Sequence, residues 1–187
     1  MTKTELRKQY KLKRHSLTSE VIDELSLKIA NQVLRLPIWD QAYFHIYLTI
    51  EELKEVNTEF ILNILLGKDK HIVVSKCNFK TSLMTHYLLT DITVIKKNEF
   101  NIPEPVDGIE ISPEKIDVVF VPLLAFDKQG HRIGYGKGFY DTFLKQCRTE
   151  TLKIGLSFFE PENAIEGIIE NDVSLDYCIT PYKIYTF

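Results

Sequence analysis

The run from Asp117 to Pro122 constrains the fold of this chain more than any other stretch. It reads Asp-Val-Val-Phe-Val-Pro, so apolar and β-branched residues follow one another without the alternation of a half-exposed strand. Such a run is typical of a strand that is buried on both faces, and strands of this kind belong to parallel sheets flanked by helices. The sequence therefore predicts an α/β protein.

Helical and apolar segments alternate along the whole chain. Helices are predicted over residues 2–15, 19–36 and 59–66 and again after Gly138. Strands are predicted over 42–48, 70–75, 82–89, 117–122, 151–158 and 177–180. This alternation predicts a three-layer α/β/α sandwich with a mainly parallel, Rossmann-like sheet. A chain of 187 residues has the size of one compact unit, so we expect a single domain over residues 1–187.

Composition and charge argue against several classes of protein. The formal net charge of −3 argues against binding nucleic acid by bulk electrostatics. The three cysteines lie far apart, without metal-binding spacing or a disulfide framework, so we expect a reducing, cytoplasmic compartment. No stretch approaches the ~20 apolar residues of a membrane span, and the basic N-terminus lacks the apolar core of a signal peptide. We expect neither nucleic acid nor membrane among its partners.

The stretch from Asp127 to Asp141 concentrates charged and glycine residues behind the buried strand. Its glycines alternate with larger residues, and two cations stand among them: Gly134, Gly136 and Gly138, with Arg132 and Lys137. Closely spaced glycines allow the backbone to curl its N–H groups around an anion. The helix predicted after Gly138 adds free N–H donors and a partial positive charge. Strand, loop and helix together predict a phosphate-binding site.

Two better-known phosphate motifs do not match this stretch. No Gly-Lys-Ser/Thr closes it, as a P-loop requires, and the third glycine of a dinucleotide fingerprint would fall at Phe139. A glycine-rich surface turn that carries charges remains the alternative interpretation.

Cations also crowd the predicted first helix. Lys3 and Arg7 are four residues apart and therefore project from one face of that helix. They are interpreted either as part of a solvated basic face or as a pair that reaches toward a polyphosphate. A basic arm for RNA is a third alternative, although no aromatic platform accompanies it.

Three acidic residues are candidates for ligand or metal binding. Glu55 lies between a strand end and the helix that follows, where ligands of open α/β sheets bind. Asp141 falls in the first turn of the helix after the glycines, and Asp172 lies in a late acidic loop. Mg²⁺ takes one or two protein carboxylates together with phosphate oxygens and water, so Asp141 and Asp172 are candidate magnesium ligands. A capping or surface role is the alternative for Asp172.

The residues from Arg132 to Asp141 closely resemble the signature of the 5-formyltetrahydrofolate cyclo-ligase family, and they read Arg-Ile-Gly-Tyr-Gly-Lys-Gly-Phe-Tyr-Asp. The resemblance extends along nearly the whole chain. The other matching segments are Lys3 with Arg7, Glu55 to Thr58, Ile102 to Pro105 (Ile-Pro-Glu-Pro), Val121-Pro122, Phe126-Asp127 and Asn171-Asp172. Ser75-Lys76 departs from the family pattern, in which Pro-Arg is expected.

The resemblance implies a function and a set of site residues. The reaction would be the ATP- and Mg²⁺-dependent conversion of 5-formyltetrahydrofolate, as a mono- or polyglutamate, to 5,10-methenyltetrahydrofolate, with release of ADP and phosphate. Arg132 and Lys137 would be catalytic, and Asp141 and Asp172 would hold Mg²⁺. The ATP-binding residues would be Lys3, Arg7, Arg132, Ile133, Gly134, Tyr135, Gly136, Lys137, Gly138, Phe139 and Tyr140. The folate-binding residues would be Glu55, Tyr135, Gly136, Lys137, Gly138 and Phe139. We expect a monomer.

Two other functions stay open at the level of sequence. A different small kinase or sugar-phosphate isomerase-like enzyme on a similar scaffold would need the glycine-rich loop and its cations. It would not need Glu55 or the Ile102 to Pro105 turn. A non-catalytic RNA- or nucleotide-binding module would instead use the basic first helix.

Overall fold

A computed structural model describes residues 1–187 and contains four α-helices and eleven strands. The helices are α1 (Lys3–His15), α2 (Ser19–Val33), α3 (Glu59–Gly67) and α4 (Phe139–Gln146). The strands are β1 (Tyr43–His45), β2 (His71–Asn78), β3 (Leu83–Leu88), β4 (Ile95–Lys97), β5 (Pro103–Pro105), β6 (Val118–Pro122), β7 (Ala125–Phe126), β8 (Arg132–Ile133), β9 (Leu152–Leu156), β10 (Tyr177–Ile179) and β11 (Ile184–Thr186).

A seven-stranded sheet forms the centre of the molecule, in the order β11-β10-β9-β6-β1-β2-β3. The five inner strands are parallel, and an antiparallel strand closes each edge. The apolar run from Asp117 to Pro122 contains β6, the middle strand of the sheet, in which Val118 to Val121 are all buried. The prediction of a mainly parallel sheet is confirmed.

Helices cover both faces of this sheet, which confirms the three-layer prediction. The face under α2 and α3 is filled by one buried cluster, whose members include Ile29, Leu65, Phe44 and Phe120. The face under α4 is filled by a second cluster, whose members include Phe143, Leu144, Val119 and Val121. Because alternate side chains of a strand point to opposite faces, Val119 and Phe120 of β6 serve the two clusters in turn.

Helix α1 does not cover the sheet. Leu6 and Tyr10 pack instead against the small β7–β8 hairpin, in a third cluster that includes Ala125 and Ile133. A capping box begins the helix, because the Glu5 carboxylate accepts from the Thr2 N–H at 2.9 Å while the Thr2 hydroxyl accepts from the Glu5 N–H. This packing brings the first turn of α1 to the rim of the cavity described below.

Some element boundaries differ from those predicted. The strand predicted over 42–48 ends at His45, because the following residues leave the sheet and line a cavity. Strand β2 continues three residues past the predicted end, since β3 pairs with it antiparallel as far as Asn78. Helix α2 ends at Val33, before the predicted boundary at residue 36. The short strands β4, β5, β7, β8 and β11 were not predicted as strands. None of the four helices combines the length and apolar character needed to cross a bilayer.

Candidate functional site

A cavity of about 330 Å³ opens at the carboxyl ends of the parallel strands. Pro122 lies at the end of β6, Ile50 on the segment after β1, and Cys77 near the end of β2, and all three line it. This edge of an open α/β sheet is where ligands bind. Every site residue proposed from the sequence except Ile133 lines this cavity, namely Lys3, Arg7, Glu55, Arg132, Gly134, Tyr135, Gly136, Lys137, Gly138, Phe139, Tyr140, Asp141 and Asp172. Ile133 is buried in the cluster beneath α1.

Helix α1 delivers two cations to the cavity. The Lys3 ammonium is ion-paired with the Asp172 carboxylate, and the Arg7 Nε donates to the carbonyl of Gly134 at 3.1 Å. The Tyr10 hydroxyl donates to Glu162 at 2.6 Å and ties the helix to the loop before β10. Lys3 and Arg7 therefore belong to the wall of a cavity and not to a solvated face.

The glycine-rich loop forms the wall next to α1. Gly136 and Gly138 have φ angles of +90° and +74°, in the region that glycine adopts without steric cost. A Cβ on Gly136 would come within 3.3 Å of Arg7 Cζ, so this position also needs a residue without a side chain. Lys137 between them is exposed and makes no hydrogen bond within the protein. The loop thus presents a free cation directly before the N-terminus of α4.

The two candidate metal ligands are each bound to a cation. Asp141 Oδ1 accepts from Arg132 Nη2 at 2.8 Å and from the Val173 N–H at 3.1 Å. Asp172 Oδ2 accepts from Lys3 and from the Ile169 N–H. The second oxygen of each carboxylate, Asp141 Oδ2 and Asp172 Oδ1, makes no hydrogen bond within the protein.

The contacts of Asp172 affect the pKa of its carboxyl group. Desolvation acts to raise the pKa of Asp172, but the hydrogen bond from Lys3 and the nearby charges outweigh it and hold that pKa below its ordinary value. Asp172 is therefore anionic, and each of the two carboxylates has one oxygen free. No group of three or more His, Cys, Asp or Glu side chains is arranged to hold a metal. A magnesium ion here would need oxygen ligands from a bound phosphate to complete its shell.

Arg132 is buried at the base of the loop, with a side chain only 5% exposed. Besides the pair with Asp141, its guanidinium donates to the carbonyl of Val173. Burial lowers the pKa of Arg132, although the Asp141 carboxylate opposes that shift. The residue is a charged anchor of the loop, and its charge is partly balanced before any ligand binds.

Buried Arg14 links α1 to the glycine-rich loop beside Glu55. It donates to the Tyr135 hydroxyl at 2.7 Å and to the carbonyl of Leu123. Burial, and after it the charge of the nearby Glu55 carboxylate, raises the pKa of Tyr135. The Glu55 carboxylate accepts from the Ile50 N–H at 2.9 Å. Burial raises the pKa of Glu55 above its ordinary value, and Arg14 and the hydrogen bonds oppose that shift.

Arg14 was not recognised as a site residue in the sequence, where it is one more cation of a basic helix. It is 3% exposed, and only the folded chain shows that its partners are Tyr135 and Leu123. Its spacing of seven residues from Arg7 places both on one side of α1, and that spacing is the one signal that would have singled it out.

The far wall comes from two hairpins. Ile102, Pro103 and Glu104 line the cavity, so the turn from Ile102 to Pro105 forms part of its wall. The Glu104 carboxylate accepts from the Cys77 N–H at 2.8 Å and fixes that turn to β2. Ser75, Cys77 and Phe79 line the cavity as well. Ser75 and Cys77 alternate on one face of β2, and Phe79 follows the end of that strand.

Known proteins resemble this chain along nearly its whole length. The model of the 5-formyltetrahydrofolate cyclo-ligase family matches residues 1–181. A 5-formyltetrahydrofolate cyclo-ligase of Mus musculus is 28% identical over 183 residues, covering 91% of this chain and 89% of the mouse protein.

Two solved structures resemble the fold along its whole length. The NMR structure of the Aquifex aeolicus 5,10-methenyltetrahydrofolate synthetase has a TM-score of 0.79 and 29% identity, covering 100% of this chain and 93% of that one. A 5,10-methenyltetrahydrofolate synthetase of Mycoplasma pneumoniae has a TM-score of 0.78 and 25% identity, covering 97% of this chain and 99% of that one.

Proposed function

The chain belongs to the 5-formyltetrahydrofolate cyclo-ligase family, and from this premise we propose that it uses ATP to convert 5-formyltetrahydrofolate to 5,10-methenyltetrahydrofolate. The products are the methenyl folate, ADP and phosphate. One observation supports this proposal above all: two cations from α1, the glycine-rich loop and the buried Glu55 converge on one cavity.

The proposed reaction has two bond-making steps. The formyl oxygen attacks the γ-phosphorus of ATP, the bond to the β–γ bridging oxygen breaks, and ADP leaves. N10 then attacks the formyl carbon and loses its proton, while the C–O bond breaks and phosphate departs. An amide-like oxygen is a poor leaving group, and phosphorylation turns it into a good one. Because phosphoryl transfer depends mainly on positioning and charge neutralisation, the site needs cations and not a protein nucleophile.

Different side chains bind the triphosphate and the folate. Lys3 and Arg7 from α1 and Lys137 from the loop neutralise the triphosphate. The N–H groups of the loop and of the first turn of α4 add donors for phosphate oxygens. Glu55, held by the Ile50 N–H, accepts from an N–H group of the folate. Arg132 keeps the loop in place and adds positive potential from below.

The carboxylates fit a magnesium ion that arrives with the nucleotide. Asp141 and Asp172 each have one oxygen free for a metal, and phosphate oxygens and water would supply the other ligands. When bound, Mg²⁺ supplies further neutralisation of the phosphate charge.

A product assay with components omitted one at a time tests the proposed function. Protein, Mg·ATP and 5-formyltetrahydrofolate together should generate the near-ultraviolet absorbance of the methenyl product, with one ADP formed per product. Omission of any component should abolish both signals. ADP without methenyl product would indicate another kinase. Salt-sensitive RNA binding without turnover would indicate a binding module.

We further propose that the enzyme acts as a monomer in a reducing cytoplasm. All residues assigned to the site come from one chain, and the three cysteines are unpaired thiols. Sedimentation of the purified protein at the mass of one chain would support the first statement, and a dimer at catalytic concentration would contradict it.

A further inference from the structure

Three polar side chains lie in a row across the sheet beneath α4, behind the cavity wall. His45 of β1, Ser75 of β2 and His86 of β3 form a hydrogen-bonded chain in which Ser75 Oγ is 2.6 Å from His45 Nε2 and 2.8 Å from His86 Nδ1. The two imidazoles are 0% and 2% exposed, whereas Ser75 lines the cavity. Ser75 is therefore the one member of this chain that reaches the cavity.

The surroundings keep both imidazoles neutral. Tyr140 and Phe143 of α4 pack against His45, and Phe143 packs against His86 at a ring separation of 4.0 Å. No carboxylate is hydrogen-bonded to either ring. Burial lowers the pKa of His86 to about 4 and lowers that of His45 well below its ordinary value. At neutral pH each ring therefore carries one N–H and one bare nitrogen.

The two ring nitrogens that lack a hydrogen-bond partner indicate which nitrogen of each imidazole carries the hydrogen. His45 Nδ1 and His86 Nε2 are buried and have no hydrogen-bond partner. If either ring accepted the serine hydrogen, its buried outer nitrogen would carry an N–H without an acceptor, and orphaned buried N–H groups are rare. If both rings donate to Ser75, only lone pairs are left unpartnered. The second arrangement leaves no orphaned donor.

We infer that Ser75 is a ligand-binding residue that donates its hydroxyl hydrogen to an oxygen acceptor of a bound substrate. A serine oxygen has two lone pairs and one hydrogen. The two imidazole N–H groups occupy both lone pairs, and the hydrogen is then directed to the cavity. The acceptor is either a carbonyl oxygen of the folate or a phosphoryl oxygen of the nucleotide. The two histidines are positioning residues, and the identity of the ligand rests on the proposed function.

Isothermal titration calorimetry tests this inference without turnover. Ser75→Ala should weaken the binding of one substrate, 5-formyltetrahydrofolate or Mg·ATP, by about tenfold or more, because a ligand oxygen loses its donor. The other substrate should bind within about twofold of the wild-type Kd, and this difference identifies the acceptor. Ser75→Cys replaces a strong donor by a weak one at nearly constant volume, and serves if the alanine variant does not fold.

Ser26→Ala is the control that separates contact from packing. Ser26 is also a buried serine with a hydrogen-bond partner, the Asn57 N–H, but it lies outside the cavity, so both Kd values should stay within about twofold of wild type. Unchanged Kd values for both substrates in Ser75→Ala would overturn the inference. So would an equal loss for both substrates, or a Ser26→Ala variant that reproduces the loss seen in Ser75→Ala. A wild-type protein that binds neither substrate and forms no product would instead overturn the proposed function.

Discussion

Lys137 is the residue whose replacement separates catalysis from folding most cleanly. Its side chain is exposed and has no protein partner, so it contributes charge to the cavity and no packing. We expect Lys137→Ala to lower kcat/KM by about 10²-fold, the typical loss when one donor to a developing charge is removed. The free energy of unfolding in urea should stay within about 0.5 kcal/mol of wild type.

Lys115→Ala is the matched control for that measurement. Lys115 is also exposed but lies in the short 3-10 helix before β6, outside the cavity. It should leave both kcat/KM and stability unchanged. Parallel losses of activity and stability in Lys137→Ala would show that the lysine supports the fold instead.

Asp141 tests the magnesium proposal at one side chain. Asp141→Asn keeps an oxygen for Arg132 and the Val173 N–H but removes the negative charge. The Mg²⁺ concentration for half-maximal activity should rise by about tenfold or more, because Mg²⁺ prefers carboxylate oxygens. Asp176→Asn, which alters a carboxylate paired with Lys153 outside the cavity, is the control. An unchanged Mg²⁺ titration in Asp141→Asn would remove this residue from the metal site.

His86 gives the fold a specific pH dependence. Burial lowers its pKa from 6.5 to about 4. Between these two values the unfolded chain binds a proton that the folded chain excludes, so stability is full above pH 6.5 and falls as the pH decreases toward about 4. Between about pH 7 and about pH 5 the free energy of unfolding should fall less in His86→Leu than in wild type. The difference between the two losses should be on the order of 1–2 kcal/mol.

Urea unfolding of both proteins at the two pH values checks this prediction. Glu55, whose pKa is raised by burial, changes stability in the opposite direction over part of the same range. It is present in both proteins and cancels from the comparison. Identical pH dependence in wild type and His86→Leu would show that His86 titrates normally.

At the scale of elements, the three glycines of the glycine-rich loop should differ in how well they tolerate replacement by alanine. Gly134 has an ordinary φ and open space around its Cβ position, Gly138 has a φ of +74° with open space, and Gly136 has a φ of +90° with Arg7 beside it. Gly134→Ala should therefore leave stability nearly unchanged. Gly138→Ala should destabilise the fold by about 1–2 kcal/mol through backbone strain, and Gly136→Ala should destabilise it most.

Activity and unfolding measurements on the three alanine variants give the order directly. Gly136→Ala should also raise the KM for ATP most, since its methyl group displaces the Arg7 guanidinium. Equal effects at all three positions would mean that the loop conformation is not what binds the phosphates.

Element types were predictable where the pattern was long and strongly apolar. The apolar run at 117–122 became β6, and the helix predicted over 19–36 became α2, because burial of one face or both fixes the spacing of apolar residues. The strands β4, β5, β7 and β8 have only two or three residues each, too few for any period to be visible. The edge strand β11 depends on its pairing with β10, which no local pattern encodes.

At the scale of the whole molecule, the topology of the sheet predicted where the site lies. It did not predict which side chains within the site contact each other. Glu55 was predicted to lie at the end of a strand, where ligands of open α/β sheets bind, and the resemblance implied that Glu55 and the glycine-rich loop share the folate. The contacts of Arg14 with Tyr135 and of Ser75 with two histidines join residues distant in the chain. A pair of this kind has no signal in either local sequence. The partners of Asp141 and Asp172 were missed for the same reason.

A crystal structure with Mg²⁺, a non-hydrolysable ATP analogue and 5-formyltetrahydrofolate tests the central claim most directly. We expect the triphosphate to lie against the loop of residues 134–138, with its terminal phosphate facing Lys137 and the cations of α1. The folate should lie beside Glu55. A nucleotide bound elsewhere, or a folate outside that cavity with no phosphate at the loop, would contradict the proposed function.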